Sequence, residues 1–127
     1  MKSAYDQFWD VGGSSLRVAQ ILPAGEYGGA EAQILALCKG LAQDNVTVEA
    51  VTYYAGEFAE KAAASGVTVT TLQGGHPLAD YRALLRHLQE YRPHIIHTHG
   101  LRASMAGRFV GRRLGIPVVT TVHSDLY

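Results

Sequence analysis

The pattern of apolar and polar positions along the chain predicts five strands that alternate with four helices. Short apolar runs rich in β-branched residues predict buried strands over residues 16–22, 46–54, 67–72, 94–98 and 116–122. Between them, apolar residues recur at helical spacing over residues 30–43, 57–65, 78–91 and 101–114. This alternation predicts a three-layer α/β domain, with a parallel sheet of about five strands, right-handed crossovers and helices on both faces.

In a sheet of this kind, ligands bind at the carboxyl ends of the strands, near the point where the strand order reverses. The loops that follow strands one, four and five are therefore the places to look for function. Residues 1–14 have no period, so we expect a flexible N-terminal arm followed by one domain over residues 15–127.

The first of these loops, AGEYGG at residues 24–29, lies between a strand and the start of a helix. Free N–H groups and the helix dipole favour an anion there, and Gly28 and Gly29 let the backbone approach a ligand closely. The loop has neither G-x-G-x-x-G nor G-K-[ST], so its spacing leaves both phosphate binding and a plain tight turn open. Glu31 is either a carboxylate matched to the helix dipole or a ligand contact.

Histidines are concentrated at the ends of the last two strands. His97 and His99, within RPHIIHTHG, share one face of a strand and could ligate a metal, with His123 and Asp125 as further ligands. Any period-two strand gives the same spacing, and the metal hydrolases that open with it are eight-stranded barrels, so we expect no metal. His99 is the histidine of the run best placed to touch a substrate, while His123 is either a catalytic contact or a half-buried residue.

Composition limits the class of protein. An apolar content of 47% and a charged content of 17% are typical of a folded globular chain, and no apolar run approaches the length of a membrane span. The one cysteine, Cys38, excludes an internal disulfide and lies among leucines, which indicates a core position.

The net charge is zero, but its distribution is uneven. Residues 1–73 hold 4 basic and 8 acidic residues, whereas residues 74–127 hold 7 and 3. The arginines of the second half form either a solvated helix surface or a surface attracted to anions such as lipid headgroups. Basic and aromatic residues do not interleave as a stacking platform requires, so we expect no nucleic-acid partner.

Several motifs, in order, resemble the N-terminal domain of the family-4-type retaining glycosyltransferases. They are G-G-A-E at the start of the first helix, R-P-H-I-I-H-T-H at the fourth strand and G-I-P-V-V-T-T-V-H at the fifth. The resemblance covers about residues 16–125. It implies a Rossmann-like domain that forms the N-terminal half of a two-domain GT-B fold.

The resemblance also implies an activity and a role for each motif. The enzyme would move a sugar from a nucleotide sugar, which is its substrate rather than a cofactor, to a glycan or lipid-linked acceptor with retention. Gly28 and Gly29 would lie by the donor diphosphate, and His123 would lie by the transferred sugar as the catalytic residue. The acceptor side would be formed by His99, Gly100 and Arg102.

The family's C-terminal nucleotide-sugar domain has no counterpart in these residues, so the chain is expected to be truncated. Such a piece is expected to be inactive alone and to self-associate through its exposed cleft and strand edge. The resemblance implies work on cell-envelope polysaccharide in the cytoplasm, with peripheral contact at the inner membrane face through Arg82, Arg86, Arg108 and Arg112.

Two alternatives stay open. One is a non-catalytic Rossmann-like ligand-binding module, and the other is a sugar-nucleotide epimerase of the same architecture.

Overall fold

The computed structural model describes residues 16–24, 26–73 and 75–122. The strands are β1 (Arg17–Leu22), β2 (Thr47–Thr52), β3 (Thr68–Thr71), β4 (Ile95–His99) and β5 (Val118–Thr121). The helices are α1 (Gly29–Gln43), α2 (Glu57–Ala64), α3 (Pro77–Tyr91) and α4 (Leu101–Leu114). All nine predicted elements are confirmed, with ends shifted by one or two residues. The predicted N-terminal arm and His123 lie outside the described residues.

The five strands form one sheet in the order β3-β2-β1-β4-β5, and every neighbouring pair is parallel. The chain moves outward from β1 to β3 and then returns to place β4 on the other side of β1. The strand order therefore reverses between β1 and β4, and all five carboxyl ends meet at one edge. The predicted fold class, a parallel α/β sheet with helices on both faces, is confirmed.

Each face of the sheet has its own hydrophobic core. On one face, Ile34, Cys38 and Phe58 from α1 and α2 pack with residues of β1 and β2. On the other, α3 and α4 pack through residues such as Leu84 and Val110. The core position predicted for Cys38 is confirmed, because its side chain is fully buried and burial raises the pKa of the thiol to about 11.

A buried carboxylate joins α3 to the sheet. Glu49 of β2 is 5% exposed, and its Oε1 lies 2.5 Å from Nε2 of His87 on α3. Its Oε2 accepts a hydrogen bond of 3.0 Å from the Thr70 hydroxyl. Both carboxylate oxygens are therefore partnered, as a buried charge requires.

Helix α4 approaches the sheet closely because glycine occupies the contact positions. A Cβ atom added at Gly107 would lie 2.3 Å from Cγ2 of Thr98. One added at Gly111 would lie 2.4 Å from Cγ2 of Val118 and 2.8 Å from the carbonyl oxygen of Ile116. The absence of side chains at these positions therefore sets the distance between α4 and strands β4 and β5.

Strand β5 lies at one edge of the sheet, and among the described residues it pairs only with β4. Its Val119 side chain is 51% exposed. An edge strand with exposed apolar residues can pair with another chain, so the expected self-association stays a prediction.

Replacing Gly111 by alanine tests the close approach of α4. The new Cβ would collide with a backbone carbonyl as well as a side chain, so we expect a loss of about 1–3 kcal/mol in the free energy of unfolding. This loss should appear although alanine favours a helix over glycine by about 1 kcal/mol. Urea denaturation measures it.

The matched control is Gly40→Ala in α1, where an added Cβ meets nothing within 4 Å. That variant should be more stable than the wild type by about 0.5–1 kcal/mol. Equal behaviour of the two variants would contradict the packing described for α4.

Candidate functional site

The candidate site lies where the strand order reverses, at the carboxyl ends of β1 and β4. Helix α1 begins seven residues after β1 ends, and α4 begins two residues after β4 ends. The two helices lie on opposite faces of the sheet, so both positive helix ends meet the same crevice. This arrangement favours a ligand that carries negative charge.

The histidines of β4 form a hydrogen-bonded layer beneath this crevice. Nε2 of His99 lies 2.6 Å from Oε1 of Gln20 on β1, and Nε2 of His97 lies 2.7 Å from Oγ1 of Thr121 on β5. The two imidazole rings contact each other, with centroids 4.1 Å apart. This hydrogen-bonded layer therefore links β1, β4 and β5 beneath the crevice.

The side chain of His99, the residue expected on the acceptor side, lies within this layer. His99 is only 3% exposed, because its ring turns onto the face of the sheet shared by Gln20 and His97. Gly100, rather than His99, reaches the turn that follows. His99 thus supports the crevice from below.

No group of three or more metal-binding side chains occurs within residues 16–24, 26–73 and 75–122. The further ligands considered from the sequence, His123 and Asp125, lie outside these ranges. The His-x-His pair itself is engaged with Gln20 and Thr121.

The glycines of the first loop stand at the start of α1. Gly28 is the residue before the helix, with extended backbone angles, and Gly29 is the first helical residue. The N–H group of Gly28 donates a hydrogen bond of 2.9 Å to Oε1 of Glu31, so this carboxylate caps its own helix. An added Cβ at Gly29 would meet nothing within 4 Å.

The turn between β4 and α4 requires glycine. Gly100 has φ of 85°, a conformation that side chains disfavour. Its carbonyl oxygen accepts hydrogen bonds from the backbone N–H of Ser104 at 3.1 Å and from the Ser104 hydroxyl at 2.7 Å. Thr98 in turn contacts that hydroxyl at 3.2 Å. The start of α4 is thereby fixed at the crevice.

Arg102, in the first turn of α4, is held by a buried carboxylate. Its Nε and Nη2 donate hydrogen bonds of 2.9 and 3.1 Å to the two carboxylate oxygens of Asp80 on α3. The Asp80 side chain is 3% exposed, whereas that of Arg102 is 33% exposed. The hydrogen bonds that Arg102 donates to Asp80 raise the pKa of Arg102 further above its usual range. This fork joins the first turns of α3 and α4.

Two tyrosines after β2 complete the surroundings of Arg102. The guanidinium carbon lies 4.8 Å from the ring centroid of Tyr53 and 5.2 Å from that of Tyr54, and Nη1 donates to the Tyr54 hydroxyl. Burial, and next the charge of Asp80, raise the pKa of the Tyr53 phenol above its usual range. Arg102 is thus a fixed cation at the edge of the sheet, with part of its surface open to solvent.

Beside this cation, α3 and α4 enclose an apolar cavity of about 530 Å³, here named the α3–α4 groove. Leu78 and Tyr81 line it from α3, Met105 and Phe109 line it from α4, and Asp80 and Arg102 lie among its walls. Because both helices begin at the carboxyl edge of the sheet, the groove lies next to the crevice.

Four arginines expected at an anionic surface are exposed on these two helices: Arg82, Arg86, Arg108 and Arg112.

Sequence reasoning missed several residues of the site. Gln20 carried a signal, because it is a polar residue inside an otherwise apolar buried strand. Asp80 carried none, since nothing in the sequence links it to Arg102, 22 positions away. The exposed apolar side chains of the groove recur at helical spacing, as core residues do, so the sequence did not distinguish them from core residues.

The match to a family model decides which family this is. The model of Glycosyltransferase Family 4 matches residues 27–127, well over half of the chain. The chain belongs to glycosyltransferase family 4. No curated protein sequence matches it.

Solved structures agree with this fold. A glycosyltransferase from Rickettsia africae matches with a TM-score of 0.72 and 14% identity, over 84% of this chain and 29% of its own. MurG from Acinetobacter baumannii matches with a TM-score of 0.67 and 18% identity, over 85% and 35%.

A UDP-GlcNAc 2-epimerase from Methanocaldococcus jannaschii, in complex with UDP-GlcNAc and UDP, has a TM-score of 0.63 and 15% identity, over 84% of this chain and 32% of its own. At these identities the matches show the fold alone, that of the N-terminal half of a GT-B glycosyltransferase. The chain spans about a third of the length of these proteins.

Replacing Arg102 by methionine tests whether the fork supports the site. The Asp80 carboxylate would lose its partner while staying buried, so we expect a loss of about 3 kcal/mol in the free energy of unfolding. The control is Arg108→Met, which removes an exposed arginine from the same helix and should change stability by less than about 0.5 kcal/mol. Equal urea midpoints for the two variants would contradict a structural role of the fork.

Proposed function

We propose that this chain is the acceptor-side domain of an enzyme that transfers a sugar from a nucleotide-sugar donor to a glycan or lipid-linked acceptor, with retention of configuration. The observation that carries the proposal is the family match over residues 27–127, on a fold that brings two helix N-termini to one crevice. Family membership favours this function over a non-catalytic binding module.

In the proposed reaction, negative charge develops on the leaving diphosphate and must be stabilised. The first-turn N–H groups of α1, from Gly29 onward, have no acceptor within the helix and would serve this purpose. A C-terminal domain would supply the rest of the donor site. No metal and no separate cofactor enter this scheme.

His123 would orient the transferred sugar by a hydrogen bond and is not assigned as a general base. In the sequence it follows β5 by two residues, and β5 neighbours β4 in the sheet. Gly100, which follows β4, would begin the acceptor side. Arg102 would face the acceptor with the part of its guanidinium that Asp80 leaves open.

We propose that the enzyme acts in the cytoplasm, at the inner face of the membrane. Its proposed role there is the assembly of cell-envelope polysaccharide. None of the described helices has the length and hydropathy needed to cross a membrane. The proposed membrane contact runs through the exposed arginines of α3 and α4.

A second candidate is a sugar-nucleotide epimerase, because the UDP-GlcNAc 2-epimerase from M. jannaschii shares this fold. Product analysis separates the two functions. An epimerase converts its nucleotide sugar without an acceptor, whereas a transferase releases the nucleotide and extends the acceptor.

Gly29→Ala tests the donor side in a protein that joins this chain to a C-terminal nucleotide-sugar domain. A methyl group at Gly29 fits the fold, since nothing lies within 4 Å, but it would stand between a phosphate and the helix N–H groups. We expect kcat/KM for transfer from the preferred nucleotide sugar to fall roughly tenfold or more, the effect of losing one charge-assisted hydrogen bond. The melting temperature should not fall.

Gly40→Ala is the matched control, because it adds the same methyl group to the same helix away from the crevice. Both variants transferring sugar as fast as the wild type would exclude the diphosphate from this helix end. No transfer by the wild-type two-domain protein from any nucleotide sugar would contradict the function itself.

A further inference from the structure

The α3–α4 groove leaves apolar side chains exposed that would normally be covered in a helix pair facing water. Leu78, Leu101, Met105 and Phe109 are between 48% and 64% exposed. Three of them line the cavity of about 530 Å³, whose walls are mostly apolar. Exposed apolar side chains gathered around a cavity are typical of a docking surface, and they favour an occupant that is itself apolar.

The N-terminal segment of the chain contains a short stretch with a matching composition. Residues 5–11, YDQFWDV, hold three aromatic residues and a valine within seven positions, together with two aspartates and no basic residue. A stretch of this length cannot build a hydrophobic core of its own. Its aromatic side chains therefore gain most by packing on apolar surface that the folded domain already offers.

The charges of the two partners are also complementary. Helix α4 contains four arginines and no carboxylate. Two of these, Arg112 and Arg113, follow Phe109 by three and four positions, which places them beside it on the helix surface. The two aspartates of residues 5–11 therefore meet positive charge when the aromatic residues reach Phe109.

We propose that residues 5–11 dock in the α3–α4 groove of their own chain, with Trp9 against Phe109. The aromatic side chains fill the apolar cavity, and the aspartates face the arginines of α4. Residues 12–15 act as a tether that raises the effective concentration of the segment at the groove. A contact that is weak between separate molecules can therefore be well populated within one chain.

The chain is long enough for this contact. The guanidinium of Arg17, the first residue of β1, donates to the carbonyl of Arg92 directly after α3, so the segment starts at the far ends of α3 and α4. Phe109 lies five residues before the end of α4, about 8 Å along the helix. Crossing the helix layer adds about 10 Å. The seven residues from Trp9 to Leu16 span up to about 23 Å when extended, which covers both distances.

Two other occupants fit less well. A second copy of the α3–α4 surface would bring the arginines of α4 against one another across a two-fold contact. The same N-terminal segment from another copy has the right composition, but it loses the advantage of the tether at low protein concentration.

Fluorescence of Trp9 tests the docking directly, because the chain has no other tryptophan. In the wild type, we expect emission that is blue-shifted from that of N-acetyl-tryptophanamide and a smaller Stern–Volmer constant for quenching by acrylamide. Phe109→Asn removes one apolar wall and should weaken docking roughly tenfold or more. Both readings should then move towards those of the free amide.

Three further measurements control for changes in the fold. Phe109 is 62% exposed, so the domain should tolerate Phe109→Asn, and the melting temperature checks this. Met105→Gln, at a second exposed position of the wall, should change the fluorescence of Trp9 in the same direction. Leu37→Asn, at an exposed apolar position of α1 on the other face of the sheet, should leave it unchanged.

Equal quenching of Trp9 in the wild type and in the Phe109→Asn and Met105→Gln variants would overturn the proposal. Quenching that rises when the wild type is diluted would assign the contact to the groove of another copy and would overturn docking within one chain. Asp6→Asn with Asp10→Asn should raise the quenching constant, and no change would overturn the part assigned to charge. None of these readings depends on sugar transfer.

Discussion

The rest of the structure depends on how closely α4 lies against the sheet. Gly107 and Gly111 remove the side chains that would hold the helix away from Thr98 and Val118. At this depth the first turn of α4 lies at the carboxyl edge, where Arg102 reaches Asp80 on the neighbouring helix. The fork between them fixes α3 against α4, and the groove is the space that remains above it. One packing distance thus positions both the cation and the cavity.

At the carboxyl ends of the strands, the two faces of the sheet carry different groups. On the face of α1, the pairs Gln20–His99 and His97–Thr121 lie under the crevice, which leaves the open end of α1 for an anion. On the face of α3 and α4, the apolar groove has Arg102 in its wall. In the proposed enzyme the first face meets the donor and the second meets the acceptor. Transfer would occur between them, where the strand order reverses.

Most of the fold could be predicted from the sequence, because each element carries its own period. The nine elements follow from local patterns such as the β-branched run of β2 and the leucine spacing of α3. Contacts between distant residues could not be predicted in this way. The fork between Asp80 and Arg102 depends on two helices meeting, and the burial of His99 depends on Gln20 in a neighbouring strand. The groove escaped prediction because exposed and buried apolar residues follow the same helical period.

The central claim is that sugar transfer takes place at the carboxyl edge between β1, β4 and β5, and His123 tests it most directly. The measurement is the turnover number of His123→Ala in a protein that joins this chain to a C-terminal nucleotide-sugar domain. Loss of one hydrogen bond to the sugar in the transition state predicts a fall of roughly ten- to a hundredfold, with an unchanged melting temperature. Turnover equal to that of the wild type would contradict the placement of the reaction at this edge.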